Sequence, residues 1–477
     1  MKRILTLLLA VCWLVSFAQT KKPDPNKEAV IQSVNKHQHE LIAISDKIWA
    51  YAETALKETK SSKELADFAE AQGFQLKRGV AGMPTAFIAE YGSGKPIIGI
   101  MGEYDALPGI SQKAQPTREP LQTGAAGHGC GHNLFGAGSL GAAVAVKELI
   151  ASGKLKGTIR FYGTPAEESV GGKIYMARDG LFSDLDVCLD WHPNAETAAS
   201  TQSSQAMVDF IVEFKGKAAH AAADPWNGRS AVDGAEAFTH GVNLLREHVL
   251  PSVRMHYAIK AGGDVPNVVP EYAKVWMWVR DSKRSVVDEV FARVRDIATG
   301  AGLIAGVEAK VTVQTGDYEM LVNRTGAAAL QKNLEALGPI TYTPEEIAFA
   351  KKIQEVQGKE QTGLDGAIYP LKETKVDPEG GSTDVGDISW NVPEITLVTT
   401  TAPKGTAWHG WAVVSCGGMS IGHKGMLFSA KALSMTMVDL FTNEQLRKDI
   451  RTEFDKRKGN FIYKGYIPDG PAPVPTN

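Results

Sequence analysis

Two spacings of apolar residues alternate along the first 200 positions. In segments 28–57 and 62–73 apolar positions recur every three or four residues, which predicts helices with one buried face. Residues 96–101 (PIIGIM) form a short, Ile-rich apolar run and predict a buried strand. A helix over 134–150, a strand over 157–162, a helix over 171–181 and a strand over 186–191 follow. This rhythm predicts an α/β fold: a mainly parallel sheet flanked by helices, with ligand sites at the carboxyl ends of its strands.

Beyond residue 204 the pattern changes. Residues 207–214 and 271–279 alternate apolar with polar, as strands with one wet face do, and 308–314 predicts another strand. Residues 229–250 and 284–300 predict helices between them. The unit 204–318 therefore predicts a small α+β domain, inserted between two parts of a catalytic domain, 19–203 and 319–445. Helices are predicted over 324–337 and 426–440, and a strand over 394–400. The polar stretch 342–379 predicts a flap or cap. Residues 446–477 predict a C-terminal tail, disordered over its Pro-rich end from 468.

Composition narrows the function classes. The net charge of -3 comes without any long basic run, which argues against nucleic acid as a partner. Lys2 and Arg3, the apolar run 4–15 and the small residues Ser16 and Ala18 predict a signal peptide over 1–18, cleaved after Ala18. Its apolar run falls short of the ~20 residues a bilayer span needs. The expectation is a secreted or periplasmic protein with no membrane span in its mature chain. Cys12 would leave with the signal, and the odd number of remaining cysteines, Cys130, Cys188 and Cys416, argues against a disulfide framework.

Four motifs carry chemistry. Gly129-Cys130-Gly131-His132 places a thiolate and an imidazole on one tight turn before a helix, both good ligands for zinc or a similar ion. Pro165-Ala166-Glu167-Glu168 follows a strand; adjacent side chains in extended chain point oppositely, so one carboxylate can bind metal while the other takes a proton from water. Trp191-His192-Pro193 ends a strand. Trp408-His409 lies in a loop after the strand 394–400, with His423 close behind; His409 is preferred as the last ligand because its loop is of a length to reach the site rim. Each motif alone has a bland reading, as a satisfied core histidine or a solvated acidic pair. Together, successive strand ends supply one thiolate, three imidazoles and a carboxylate, which suits two cations sharing a bridge better than one. A G-x-S-x-G elbow, the mark of many serine hydrolases, does not occur.

These residues, with Gly102-Glu103-Tyr104-Asp105-Ala106-Leu107-Pro108 and Gly216-Lys217-Ala218-Ala219-His220, stand in the order of a known family. Over about 30–440 the chain resembles the two-metal family of aminoacylases, glutamate carboxypeptidase and succinyl-diaminopimelate desuccinylase. The Cys-Gly-His turn resembles its amidohydrolase subgroup, and GHGCGHNLFGAGSLGAA, GSTDVGDISW and SIGHKGMLFSAK resemble hydrolases of aminobenzoyl-glutamate within it. The resemblance implies two divalent ions, zinc or manganese. Cys130 would bridge them, His132 and His192 would bind one, and Glu168 and His409 the other. Glu167 would be the general base, and Asp105 would orient a ligating imidazole. His220 would stabilise the oxyanion, often from a neighbouring subunit, while Asn267 and Arg280 would hold the oxyanion and a substrate carboxylate. The small domain would serve as lid and dimerisation module, in a homodimer or with a related subunit. The chain departs from the common His-x-Asp at Glu103-Tyr104-Asp105, where His132 would replace the missing imidazole.

The implied activity is amide hydrolysis of N-acyl or aroyl amino acids by metal-activated water. A dipeptidase or carboxypeptidase is the first alternative; it needs a carboxylate for the free substrate amine, and the sequence identifies none. A non-catalytic binding subunit is the second, against which the retained Glu167 argues.

Overall fold

The computed structural model describes residues 24–375 and 380–475; the predicted signal peptide lies outside the described residues. Eleven strands among them build two sheets. The larger contains β1 (Gln75–Arg78), β2 (Phe87–Ser93), β3 (Ile97–Gly102), β4 (Gly157–Gly163), β5 (Val187–Asn194) and β6 (Ala198–Ala199). The smaller contains β7 (Ala206–Lys215), β8 (Arg254–Ala261), β9 (Tyr272–Asp281) and β10 (Glu308–Thr315), and β11 (Glu394–Thr400) returns to the larger.

The large sheet runs β1-β2-β4-β3-β5-β11-β6. Its centre, β4-β3-β5-β11, is parallel, while β1, β2 and β6 pair antiparallel at the two edges. Central strands are covered on both faces, which is why β3 reads as a continuous apolar run and β5 begins as one: Ile98, Ile100, Val187 and Leu189 are all fully buried. The helix His132–Ala151 packs against the sheet along nearly its whole length. It has the length and composition of a membrane span, yet it is the core helix of this layer.

The small sheet, β10-β7-β9-β8, is antiparallel throughout. Helices Ala231–Leu245 and Arg284–Ala305 cover one face, burying Val208, Phe210, Val212, Val275, Met277 and Val279 against Phe238 and Phe291. The intervening residues of β7 and β9, among them Asp209, Trp278 and Arg280, occupy the other face.

Several predicted elements shift. The helix expected over 28–57 breaks at His37 into Pro25–Lys36 and Gln38–Tyr51. β8 was not predicted, because an edge strand open to solvent keeps only Met255 deeply buried and loses its alternation. Part of the expected flap is the helix Pro344–Val356, started by a capping box between Thr343 and Glu346. The expected tail is largely ordered: Glu444–Lys458 is helical with Ile450 and Phe454 buried, and the following chain packs back onto the core. There Tyr463 donates to Asp387 at 2.7 Å and Ala472 is buried, so apolar contacts outweigh the Pro-rich composition.

Candidate active site

The carboxyl ends of β3, β4, β5 and β11 lie together, and each hands its following loop to one place. Gly131 begins the helix His132–Ala151 at φ 83°, a left-handed turn that glycine adopts without strain; a Cβ there would meet Pro193 Cγ at 2.9 Å. After β4 the chain turns at Ala166 with φ 63°, and the Ala166 N–H is held by Glu58 at 3.0 Å. His409, at φ 59°, donates its backbone N–H to the Gly129 carbonyl at 3.0 Å and so ties the last loop to the first.

These turns bring all five predicted ligands together. Donor atoms of Cys130, His132 and His192 lie within 4.8 Å of one another, as do those of Cys130, Glu168 and His409. Cys130 belongs to both groups. Metal bonds of ~2.0–2.3 Å put two donors on one ion ~3–4 Å apart, and Cys130 Sγ stands 3.3 Å from His192 Nε2. His423 pairs instead with Asp46 at 2.8 Å and joins neither group.

The tautomers fit the same purpose. His132 Nδ1–H donates to Asp105 Oδ1 at 3.0 Å, and His192 Nδ1–H donates to the Pro193 carbonyl at 2.7 Å. Both imidazoles thereby present Nε2 to the cluster. The other oxygen of Asp105 accepts the Glu168 N–H at 2.9 Å, so this one carboxylate fixes a ligand from each group. Glu168 Oε1 is buried without a hydrogen-bond partner, and His132 Nε2 faces Glu103 Oε2 at 2.9 Å. An orphaned carboxylate oxygen beside a thiol and three imidazoles fits a pair of cations.

Burial lowers the His132 imidazole, but Glu103, Cys130 and Asp105 outweigh it and hold it well above its usual range, so it must shed a proton to ligate. Burial, joined by Glu103 and Glu168, pushes the Glu167 carboxyl well above the carboxylate range. Burial also raises the Cys130 thiol, and lifts Glu168 to about 7. These acids hold protons that positive charge would displace. His192 is lowered to about 4 by burial and then by His132, so its ring is neutral and ready to ligate.

Three residues beyond the predicted set support the site. Lys173, fully buried, donates to Glu103 and Asp384 at 2.6 Å each. Burial raises Glu103, but Lys173 and His132 outweigh it and hold its carboxyl well below the usual range. Glu103 Oε2 sits 2.9 Å from His132 Nε2, and Glu103, His132 and Glu167 form a third close group. The only signal for Lys173 is a cation near the start of a short helical segment, Gly172–Arg178, whose middle is apolar.

A cavity of about 760 Å³ opens from the cluster. Cys130, Glu167, Glu168, His192 and His409 line one end, and Met207, Asp209, Trp278, Arg280 and Asp317 line the other. Arg280 is thus placed in the same cavity as the predicted base. His220 and Asn267 are not: both are exposed on outer loops of the small sheet, where the Asn267 carbonyl accepts the Ala221 N–H at 3.1 Å.

The chain is 38% identical over 460 residues to one of the p-aminobenzoyl-glutamate hydrolase subunits of Escherichia coli K12, covering 91% of this chain and 95% of that one. It is 29% identical to Xaa-Arg dipeptidase of Mus musculus, covering 90% and 92%. The fold matches a dinuclear metal-binding M20 peptidase from Bacillus subtilis at TM-score 0.57, with 18% identity, over 85% of this chain and 99% of that one. Residues 99–409 match Peptidase family M20/M25/M40, and this chain belongs to that family as a metal-dependent amidohydrolase.

Proposed function

We propose that the protein hydrolyses the amide bond of N-acyl or aroyl amino acids, with p-aminobenzoyl-glutamate a fitting first substrate, using two zinc or manganese ions. The observation that carries this reading is the sharing of Cys130 by two donor groups, with Glu167 beside them in one cavity. Cys130, His132 and His192 would hold one ion and Cys130, Glu168 and His409 the other. Bound there, the ions supply Lewis acidity, lowering the pKa of water and polarising a carbonyl. Glu167 takes a proton from the attacking water and returns it to the leaving nitrogen. Asp105 keeps His132 and Glu168 in place during both transfers. Arg280 orients the substrate carboxylate through its planar fork. His220 and Asn267 act in the cavity of a second copy of the chain, because their exposed loops contribute nothing to the lining of this one.

The test is a panel of aroyl-amino acids, acyl-amino acids and dipeptides on protein reconstituted with manganese or zinc. Glu167→Gln should keep its metal content and lose ~10²–10⁴ in turnover. An active variant overturns the base assignment, equal or better dipeptide cleavage reverses the substrate order, and a protein that cleaves no amide is a binding subunit.

A further inference from the structure

The far end of the cavity is built by the open face of the small sheet. Across the β7–β9 pair Met207 stands opposite Arg280 and Asp209 opposite Trp278, and across the β10 edge Thr315 stands opposite Asp209. The helices take the alternate residues, so these side chains point the other way, to the cavity. Asp317, just past β10, joins them there.

Open faces of sheets ordinarily carry solvated polar groups, but this corner is closed over. Asp209 is 5% exposed and Asp317 6%. Asp209 accepts the Trp276 indole N–H at 2.6 Å. Among the described residues nothing donates to the Asp317 carboxylate, and neither aspartate forms an ion pair with Arg280. Arg280 stacks on Trp278, 4.7 Å from the ring centre, and its Nε is buried without a partner. Arg284, behind Asp317, is engaged by Asp288 at 2.8 Å and by the Met207 and Asp317 carbonyls. Two carboxylates and one free guanidinium therefore face the cavity, and the corner holds one more acid than it has bases. A corner made only for a carboxylate would carry the opposite balance. A buried carboxylate lacking a donor is costly unless a ligand supplies one.

We infer that Asp317, with Asp209, receives an amino group of the substrate, against the flat indole of Trp278. This rests on the amidohydrolase reading, and it supplies the carboxylate that the sequence alone did not identify for a substrate amine. The amino group is either an arylamine on the acyl part or an alkylammonium on the amino-acid part.

Two matched pairs separate these sources: p-aminobenzoyl-glutamate against benzoyl-glutamate, and benzoyl-lysine against benzoyl-norleucine. Binding is measured by calorimetry on the metal-loaded Glu167→Gln protein, and kcat/KM on the metal-loaded wild type. The amino member of at least one pair should bind ~10-fold or more tightly, as a site built to hydrogen-bond a substrate N–H discriminates against its absence. Asp317→Asn should bring that ratio to near one, and Asp209→Asn should lower it. Equal binding within both pairs overturns the inference, as does a preference that survives Asp317→Asn with Asp209→Asn. Preferential binding of the amine by a wild type that cleaves nothing supports this corner's role and overturns the amidohydrolase reading alone.

Discussion

The two ends of the cavity solve opposite problems. At the cation end, among the described residues, most ligand side chains are held by protein groups, though Glu167 is not: Asp105 grips His132 and Glu168, Lys173 grips Glu103 and Asp384, and the Pro193 carbonyl fixes His192. Glu168 Oε1, a ligand atom, and the Glu167 carboxylate beside it remain there without a hydrogen bond. At the far end the polar groups hang from a rigid sheet with few partners of their own, Arg280 and Asp317 above all. The difference teaches that cation ligands are built on side chains locked by protein contacts, whereas recognition groups are left open for a substrate to complete.

The largest test of this contrast removes the ammonium at the locked end. Lys173→Met leaves Glu103 and Asp384 buried with no cation between them. Breaking a buried ion pair from one side costs ~3–5 kcal/mol, so urea unfolding of the metal-free protein should show a loss of that order. Adding Glu103→Gln to Lys173→Met should recover part of it. Arg280→Met, at the open end, breaks no protein ion pair and should cost under ~1 kcal/mol. Equal losses at the two sites would erase the distinction between the ends.

The cation end was largely legible in the sequence because its chemistry travels in short motifs. Cys130 and His132 share a turn, Glu167 and Glu168 are neighbours, and His192 ends a strand. Fixed spacing at strand ends of a parallel sheet leaves few places for such side chains to go. Lys173 escaped because one lysine in a short helix shows nothing of its two partners, 70 and 211 residues away. Asp209 and Asp317 escaped for a similar reason. Burial of the open face of β7 and β9 depends on distant loops, such as those of Glu167, Ser382 and His409, coming to share a cavity with it, and alternation within a strand marks a face without saying what covers it. The missed β8 and the ordered C-terminal chain share that cause: an edge strand and a Pro-rich segment are placed by what they dock on.

A second, smaller effect follows from protons. Glu168, raised to about 7 chiefly by burial, binds a cation only as carboxylate, and the raised Cys130 thiol and His132 imidazole must also lose their protons. Metal binding therefore competes with protonation, and affinity falls as pH falls. From pH 7 to 5 the loss should be about tenfold per unit for each proton displaced, with affinity still rising above pH 7 because of the thiol. His192 adds nothing over this range, since its pKa of about 4 leaves it neutral throughout. Competition with a chelator of known pH dependence measures the slope. A flat profile would mean that the ligand end is already ionised without its cations, and so no more locked than the other end.

The smallest expected effect lies with Arg280, and it bears on what the open end is for. Its guanidinium stacks on Trp278 and leaves its donors toward the cavity, so removing it disturbs no ligand of the cluster. A hydrogen bond to a charged group contributes ~1.5–3 kcal/mol, which is a ~10–100-fold change, and the contact exists in both ground and transition states. Arg280→Ala should therefore raise KM by that factor for substrates with a free carboxylate and leave kcat within about threefold. The amide of the same substrate, lacking the carboxylate, should show nearly equal KM in variant and wild type. A fall in kcat with unchanged KM would instead place Arg280 in the reaction itself, and the far end would no longer be a recognition surface separate from the chemistry.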